Sequence, residues 1–258
     1  MIVTLSPSKG QDFATPAKTK QHSIPDDLDD SKLLIREMRK VCADELQAMM
    51  SVSENIATLN VERYKKFKTP FTPDNAKQAI FAFKGDVYSG IGVEDFSADD
   101  LAYAQQHLRI LSGLYGCLRP LDLIQPYRLE MKTRVKNPRG DNLYQFWGER
   151  ITDSLNRELA TQQEPVLVNL ASNEYFKSVK PKLLQGRLLT INFKESKNGK
   201  TRVVSIFAKR ARGMMAGYIL RNRIENAEAL KKFKEGGYRF SKADSNDNQW
   251  TFVRPQPE

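Results

Sequence analysis

The chain has 258 residues, of which 40% are apolar and 28% are charged, so its composition excludes a disordered chain and a small disulfide-bonded scaffold. It carries 41 Lys and Arg against 31 Asp and Glu, a formal net charge of +10. No apolar stretch approaches the roughly 18 residues that span a bilayer, and the opening residues lack a basic stretch leading into an apolar run. We therefore expect a cytoplasmic protein with no membrane partner.

The first half of the chain predicts one strand followed by several helices. The strand covers Ile2 to Leu5 and ends at a loop that contains Pro and Gly and carries Lys9. Apolar residues then repeat at helical spacing. Helices are predicted around Leu34 to Val41, at Asp44 to Met50, at Glu54 to Phe67, and through Asn75 to Phe81 after the Thr72-Pro73 start signal. Strand and turn are predicted for residues 83–90.

The second half of the chain mixes strands and helices without strict alternation. Ser97 with Asp100 predicts a helix start, and Gly113 predicts its end. The remaining predictions are a helix at Asn142 to Ala160, strands at Pro165 to Leu170, Arg187 to Phe193 and Arg202 to Phe207, a helix at Lys209 to Asn222, and a hairpin of Tyr238 to Phe240 with Trp250 to Val253. Because no linker or repeat divides the chain, we expect a single α+β (mixed α/β) domain over residues 1–258, with a mixed sheet flanked by helices.

The basic residues are concentrated in one segment. Lys177 to Arg223 contains 13 basic residues and one acidic residue, Glu195, a net charge of +12 that exceeds the charge of the whole chain. Such a concentration produces a positive field suited to phosphates and other polyanions. The alternative is a solvated basic face with no partner.

Residues 46–60 resemble a helix-hairpin-helix, in which a short turn joins two helices and directs its amides at a nucleic-acid phosphate. Ser51-Val52-Ser53 occupies the turn, where glycines are common, and Glu54 and Asn55 begin the second helix. Ser adopts left-handed backbone angles less readily than Gly, but its hydroxyl caps helices and binds phosphate. The alternative is a pair of ordinary packed helices.

A second candidate anion site is the run of cations at Lys209, Arg210 and Arg212. The run is predicted at the start of a helix directly after a strand, where amides and cations would together attract an anion. The alternative is an exposed basic turn.

The sequence predicts no metal site and no cofactor. Cys42 and Cys117 stand without a CxxC spacing, and His22 and His107 lie far apart in the chain. Phosphate-binding glycine loops and nucleophile motifs are absent, so the catalytic residues, if any, are unknown. Four carboxylates are candidates for acid-base chemistry, although the sequence does not determine which of them converge: Asp86, Asp122, Glu130 and Glu174.

Five blocks of sequence resemble one family. They are FKGDVYSG at residues 83–90, QQHLRILSGLYGCLRPLDLIQPYRLEM at 105–131, LYQFWG at 143–148, NLASNEYFKSVKPK at 169–182 and AKRARG at 208–213. Their order and spacing over nearly the whole chain are similar to those of the YaaA family of bacterial peroxide-stress proteins.

The resemblance implies a cytoplasmic protein of the hydrogen peroxide stress response that limits free intracellular iron and oxidative damage to DNA. It implies one compact fold with a helix-hairpin-helix, a basic cleft and affinity for double-stranded DNA. Because the recognisable elements are directed at phosphates and no motif for reading base edges is present, we expect sequence-independent binding, and no obligate protein partner is evident. Carried over onto this chain, the hairpin comprises Ser51, Val52, Ser53, Glu54 and Asn55, and the cleft draws on Lys9, Lys84, Lys177, Lys180, Lys209, Arg210 and Arg212.

Two functional hypotheses remain open. One is a DNA-binding protein, in which any effect on iron is either indirect or uses scattered carboxylates. The other is an enzyme that holds a small anionic substrate in the same cleft, with Lys84, Asp86, Arg128 and Glu130 as its acid, base and electrostatic groups. A wide groove would favour duplex DNA, and a deep pocket with convergent carboxylates would favour catalysis.

Overall fold

The fold is built on a mixed β-sheet, seen in a computed structural model that describes residues 1–257. The strands are β1 (Ile2–Leu5), β2 (Gly10–Gln11), β3 (Lys77–Gln78), β4 (Phe83–Lys84), β5 (Leu108–Ser112), β6 (Gly116–Leu118), β7 (Leu123–Ile124), β8 (Val166–Asn169), β9 (Arg187–Lys197), β10 (Lys200–Arg202), β11 (Arg239–Ser241) and β12 (Gln249–Pro255).

Ten α-helices accompany these strands in the described residues. They are α1 (Leu28–Met38), α2 (Ala43–Met50), α3 (Glu54–Lys66), α4 (Ala79–Ala82), α5 (Asp86–Ile91), α6 (Ala98–His107), α7 (Leu143–Trp147), α8 (Arg150–Leu159), α9 (Asn173–Phe176) and α10 (Ser205–Arg221). Short 3-10 helices occur at Val93–Asp95, Pro181–Leu183, Ala227–Lys232 and Glu235–Gly237.

The main sheet has eight strands in the order β11-β12-β9-β8-β1-β5-β6, with β10 paired to β9. The five strands from β12 to β5 are mutually parallel, whereas β6, β10 and β11 are antiparallel to their neighbours. The chain moves from β1 to β5 on one side and later returns to β8 on the other side of β1. The strand order therefore reverses between β1 and β8, and in open α/β sheets ligands bind outside the carboxyl ends of the strands at such a point.

The core surrounds the central strand β1. Ile2, Val3 and Leu5 are fully buried, since α6 and α8 both pack against β1. Residues buried on both faces of a parallel sheet form a continuous apolar run, as they do here. Together with α10, which packs against β9, these helices complete one compact α/β domain.

Several sequence-based predictions are confirmed. The strand at Ile2–Leu5 is present, and the two helices predicted on either side of Ser51 are α2 and α3. Asn198 and Gly199 both have positive φ angles at the tip of the β9-β10 hairpin, as an Asn-Gly turn requires. Ser97 accepts a hydrogen bond from the Asp100 amide and begins α6. The terminal hairpin pairs β11 with β12.

The helix predicted through Asn75 to Phe81 is wrong. Asn75 lies in a turn in which its Oδ1 accepts a hydrogen bond from the Thr72 amide at 3.1 Å, and β3 follows, paired with β7. Only Ala79–Ala82 is helical. The long helix predicted for residues 142–160 is also interrupted, because Gly148 has a φ of 53° and separates α7 from α8. Tertiary strand pairing and one left-handed glycine override the local pattern in these two segments.

Other element boundaries also differ from the sequence-based predictions. The helix with a predicted end at Gly113 stops at His107, because the next residues form β5. The strand predicted for Arg202 to Phe207 ends at Arg202, and α10 begins at Ser205 instead of Lys209. Within residues 83–90, only two residues are strand and α5 begins at Asp86.

The crossing of α5 and α10 brings two helix backbones into direct contact. A Cβ added to Gly213 would collide with the Val87 carbonyl oxygen, and one added to Gly90 would collide with the Arg210 carbonyl oxygen. Only glycine permits so close an approach. The crossing places the start of α5 beside Arg212 on α10, where both line the same cavity.

Candidate functional site

A cavity of about 570 Å³ lies at the carboxyl ends of β1 and β8, which is the point where the strand order reverses. We call it the strand-end cavity. Its walls come from the loops after β1 and β8, the start of α5, α9 and α10. Its polar and charged lining residues are Ser6, Ser8, Lys9, Asp86, Glu130, Ser172, Asn173, Glu174, Lys209 and Arg212.

The loops after β1 and β8 are tied together at the floor of this cavity. The Ser172 amide donates to Ser6 Oγ at 2.8 Å, and the hydroxyl oxygens of the two serines are 3.2 Å apart. The Tyr88 hydroxyl donates to the Ser6 carbonyl oxygen at 3.1 Å, which links α5 to the same loop. These bonds fix two serine hydroxyls at the switch point of the sheet.

Glu130 is a buried carboxylate surrounded by cations. Its side chain is 6% exposed, with Lys9 Nζ at 3.2 Å, Arg128 Nη2 at 3.1 Å and Lys132 Nζ at 3.7 Å. A buried carboxylate is costly unless it is paired, so these cations satisfy it. Glu130 therefore holds three basic side chains near one another.

A second cavity, of about 590 Å³, lies between the end of α2 and residues 130–134. Its lining includes Ser51, Glu130, Lys132 and Arg134. A third and much smaller pocket is lined by Lys9, Arg128 and Glu130, and Glu130 lines all three spaces.

We call the three spaces together the basic groove. Its lining carries six cations against three carboxylates. The cations are Lys9, Arg128, Lys132, Arg134, Lys209 and Arg212, and the carboxylates are Asp86, Glu130 and Glu174. The lining includes Ser51 at the turn between α2 and α3 and Arg212 on α10, and it carries an excess of positive charge.

The turn between α2 and α3 has the backbone conformation that its sequence suggested. Ser51 is left-handed, with φ 51° and ψ 57°, where the hairpin motif commonly has Gly. Val52 is half-buried, and Ser53 is extended at the N-cap of α3. The Ser53 side chain makes no capping bond, and Glu54 and Asn55 are exposed, so the first amides of α3 are open to an external acceptor.

Lys209 and Arg212 line the strand-end cavity, but they do not lie at a helix start as the sequence predicted. Because α10 begins at Ser205, both residues lie beyond its first turn and the amides there are within the helix. The two cations therefore act through their side chains. Arg210, on the same turn, is exposed and lies outside the cavity lining.

Three further lysines predicted for the cleft lie elsewhere. Lys84 pairs with Asp12 at 2.6 Å, lines a neighbouring pocket and lowers the pKa of the Asp12 carboxyl. The ammonium group of Lys177 lies 5.2 Å from the centre of the Tyr144 ring. Lys180 is half-buried beside α8, and its amide bonds Thr152. None of the three lines the basic groove.

The cations of the basic segment are distributed over several elements of the fold. Five of its cations lie on β9 and β10, and Arg221 and Arg223 pair with Glu235 and Asp100. Lys132 and Arg134 of the groove were missed at the sequence level. The available signal was the alternation of exposed cations at 132, 134 and 136 with buried residues at 131, 133 and 135.

Within residues 1–257, no three His, Cys, Asp or Glu side chains are grouped so that they could hold a metal ion. Both cysteines are free thiols. Cys117 is buried, and its burial raises the pKa of that thiol to about 12. None of the helices in the described residues combines the length and apolar character that crossing a membrane requires.

Known proteins resemble this chain over its whole length. A family model described as "Peroxide stress protein YaaA" matches residues 1–244. A UPF0246 protein of Cellvibrio japonicus is 51% identical over 257 residues, covering 100% of both chains. One from an Azoarcus species is 53% identical over 260 residues, covering 99% of this chain and 100% of its own. One from Shewanella loihica is 52% identical over 256 residues, covering 99% of each chain. The chain belongs to the peroxide stress protein YaaA family.

Proposed function

We propose that this protein binds double-stranded DNA without sequence preference, through the basic groove and the α2-α3 hairpin. The observation that carries the proposal is the position of Glu130 between the hairpin turn and α10. Ser51 at the hairpin turn and Arg212 on α10 line two cavities that share Glu130, with which Lys9, Arg128 and Lys132 are paired.

The chemistry of these groups favours the DNA backbone over the base edges. Lysine and arginine side chains neutralise phosphates and supply most of the affinity of sequence-independent binding. The open amides at the start of α3 carry partial positive charge and suit a phosphate oxygen. Phosphate contacts of this kind position a duplex without reading its sequence.

A titration of duplex DNA at several salt concentrations tests the proposal. With four to six phosphates neutralised, log affinity is expected to fall with log salt at a slope of about −4 to −5, since each contact contributes about −0.9. Duplexes of unrelated sequence should bind with similar affinity. Absence of binding at low salt, or a slope near zero, would refute the proposal.

Replacing Ser53 by Asp is expected to weaken duplex binding about tenfold. The new carboxylate would face the phosphate at the first amides of α3, and one lost phosphate contact with added repulsion corresponds to about 1 to 2 kcal/mol. Asp is also a favourable N-cap residue, so the thermal midpoint should change little. Affinity measured by fluorescence anisotropy and the midpoint measured by circular dichroism give the two readouts.

Thr58→Asp is the matched control for this variant. Thr58 is also exposed on α3 but lies more than one helical turn beyond Ser53, so the same charge is added away from the turn. The control should retain nearly normal affinity. Equal affinity of Ser53→Asp and Thr58→Asp proteins, both folded, would remove the hairpin from the interface.

We further propose that DNA binding is how the protein acts in peroxide stress, in the cytoplasm where the chromosome lies. DNA that is shielded by a bound protein is less exposed to the oxidants that free iron and peroxide generate, and the proposal includes a role in limiting that iron. Cells carrying Ser53→Asp should then survive peroxide less well than cells carrying Thr58→Asp. Equal survival of the two strains would show that DNA binding is not how the protein protects the cell.

A second candidate function is an enzyme that acts on a small anionic substrate. The observation that favours it is the convergence of Asp86 and Glu174 with Lys209 in the strand-end cavity, at the switch point of the sheet. Of the other groups considered for catalysis, Lys84 is paired in a separate pocket, and Arg128 and Glu130 are paired with each other. Turnover of a small phosphorylated substrate that is lost in Asp86→Asn and in Glu174→Gln would support this function.

A further inference from the structure

Arg212 is unusual among the interior arginines of this protein. Its side chain is half-buried on α10 and lines the strand-end cavity. Within residues 1–257 no carboxylate, carbonyl or side-chain oxygen accepts a hydrogen bond from it, and burial lowers the pKa of its guanidinium. Its nitrogens are not among the buried side-chain atoms that lack a partner, so this partly desolvated guanidinium is open to an anion that enters the cavity.

The other buried or half-buried arginines all have partners in the protein. Arg109 pairs with Glu158 at 2.7 Å, and Arg128 pairs with Glu130. The remaining pairs follow the same pattern: Arg63 with Asn60, Arg119 with Asp26 and Asp122, Arg139 with Asp30, Arg221 with Glu235, and Arg254 with Glu195. Each of these guanidinium groups has at least one partner in the protein, although single nitrogens of Arg139 and Arg254 lack one, and the interior arginine with no partner lies in the strand-end cavity.

The groups around Arg212 define the chemistry of the missing partner. Lys209 supplies a second cation and Ser172 a hydroxyl at the switch point of the same cavity, since Ser6 donates its own hydroxyl hydrogen to Ser172, and the carboxylates Asp86 and Glu174 also line the cavity. A guanidinium, an ammonium and one hydroxyl still offer more donors than the two oxygens of a carboxylate accept. A phosphate monoester has three terminal oxygens and a charge of about −1.5 to −2 at neutral pH, which two cations balance.

The cavity is also larger than a phosphate group alone requires. Its volume of about 570 Å³ lies in the range of sites for cofactor-sized ligands. Val87, Leu170 and Tyr175 supply apolar wall beside the cations. These walls suit the organic part of a phosphorylated molecule.

We propose that the strand-end cavity binds a phosphate monoester of about nucleotide size, with its phosphate on Arg212 and Lys209. This ligand is distinct from the duplex of the proposed function, because a duplex presents internal phosphodiesters with one charge each. The site would fill whether or not the protein binds duplex DNA.

Isothermal titration of the full chain with thymidine 5′-monophosphate tests the proposal. The nucleotide should bind, and thymidine, which lacks the phosphate, should bind at least tenfold more weakly. Arg212→Met should weaken nucleotide binding about 10- to 100-fold, since a charge-assisted hydrogen bond to phosphate is lost. Arg210→Met, which removes an exposed cation outside the cavity lining, is the matched control and should bind normally.

The stability of the same variants provides a second readout. Because Met replaces an unpaired, partly desolvated charge with an apolar side chain of similar length, ligand-free Arg212→Met should unfold at the same temperature as the wild type or higher. A folded Arg212→Met protein with wild-type affinity would overturn the proposal, as would equal binding of thymidine and its monophosphate. Ser53→Asp should retain nucleotide binding, so a failure of the duplex proposal is distinguishable from a failure of this one.

Discussion

Gly213→Ala is expected to lower the free energy of unfolding by about 3 kcal/mol or more. The added Cβ would overlap the Val87 carbonyl oxygen and lie 3.0 Å from the Gly90 Cα, so α5 and α10 would have to separate. Overpacked interiors cost about 1 to 3 kcal/mol when side chains can adjust, and more when the obstacle is backbone. Urea unfolding followed by circular dichroism would measure the loss.

Gly199→Ala is the matched control for this effect. Gly199 lies at the tip of the β9-β10 hairpin with a φ of 73°, and a Cβ added there would meet no atom within 4 Å. Its replacement should cost only about 1 kcal/mol, because the left-handed backbone is strained without any collision. If Gly213→Ala cost no more than Gly199→Ala, the helix crossing would not depend on backbone contact.

Separation of α5 from α10 should also disturb the strand-end cavity. The Gly213→Ala protein should therefore bind thymidine 5′-monophosphate more weakly than the wild type.

Reversing the charges of Lys132 and Arg134 to Glu is expected to reduce duplex affinity about 30-fold or more near physiological salt. Both residues are exposed and line the basic groove beside the α2-α3 turn. Each reversal removes one phosphate contact and adds repulsion, which we take as about 1 to 2 kcal/mol per site. The salt slope should become shallower by about two units, since two contacts are lost.

The control for this double variant reverses two cations outside the groove. Lys197 and Lys200 are exposed at the β9-β10 hairpin, so their replacement by Glu changes the net charge of the protein by the same amount. If DNA binds through the groove, the variant with Glu at positions 197 and 200 should lose little duplex affinity. Equal losses in the two double variants would show that the overall field of the protein, and no specific groove, attracts DNA. Since Lys132 also contacts Glu130, thermal unfolding of both proteins must confirm that each is folded.

Features that depend on near neighbours in the chain can be predicted from the amino-acid sequence alone. The periodicity of Asp44 to Met50 and Glu54 to Phe67 predicted α2 and α3, and the Asn198-Gly199 pair predicted the hairpin, because each signal acts over a few residues. The five sequence blocks identified the family. Among the predicted cleft residues, Lys9, Lys209 and Arg212 line the groove.

The convergence of these residues depends on contacts between distant parts of the chain. Lys132 and Arg134 carry no motif, and they reach the groove because Glu130 is buried between Lys9 and Arg128. The +12 segment predicted a positive field suited to an anionic partner, and strand pairing distributes its cations along β9, β10 and α10. The crossover from β1 to β5 and the close approach of Gly90 to Gly213 have no local signature in the sequence. Each depends on segments that lie more than 80 residues apart in the chain. Local propensity therefore determined most of the helices and strands, whereas long-range packing determined which residues converge at the site.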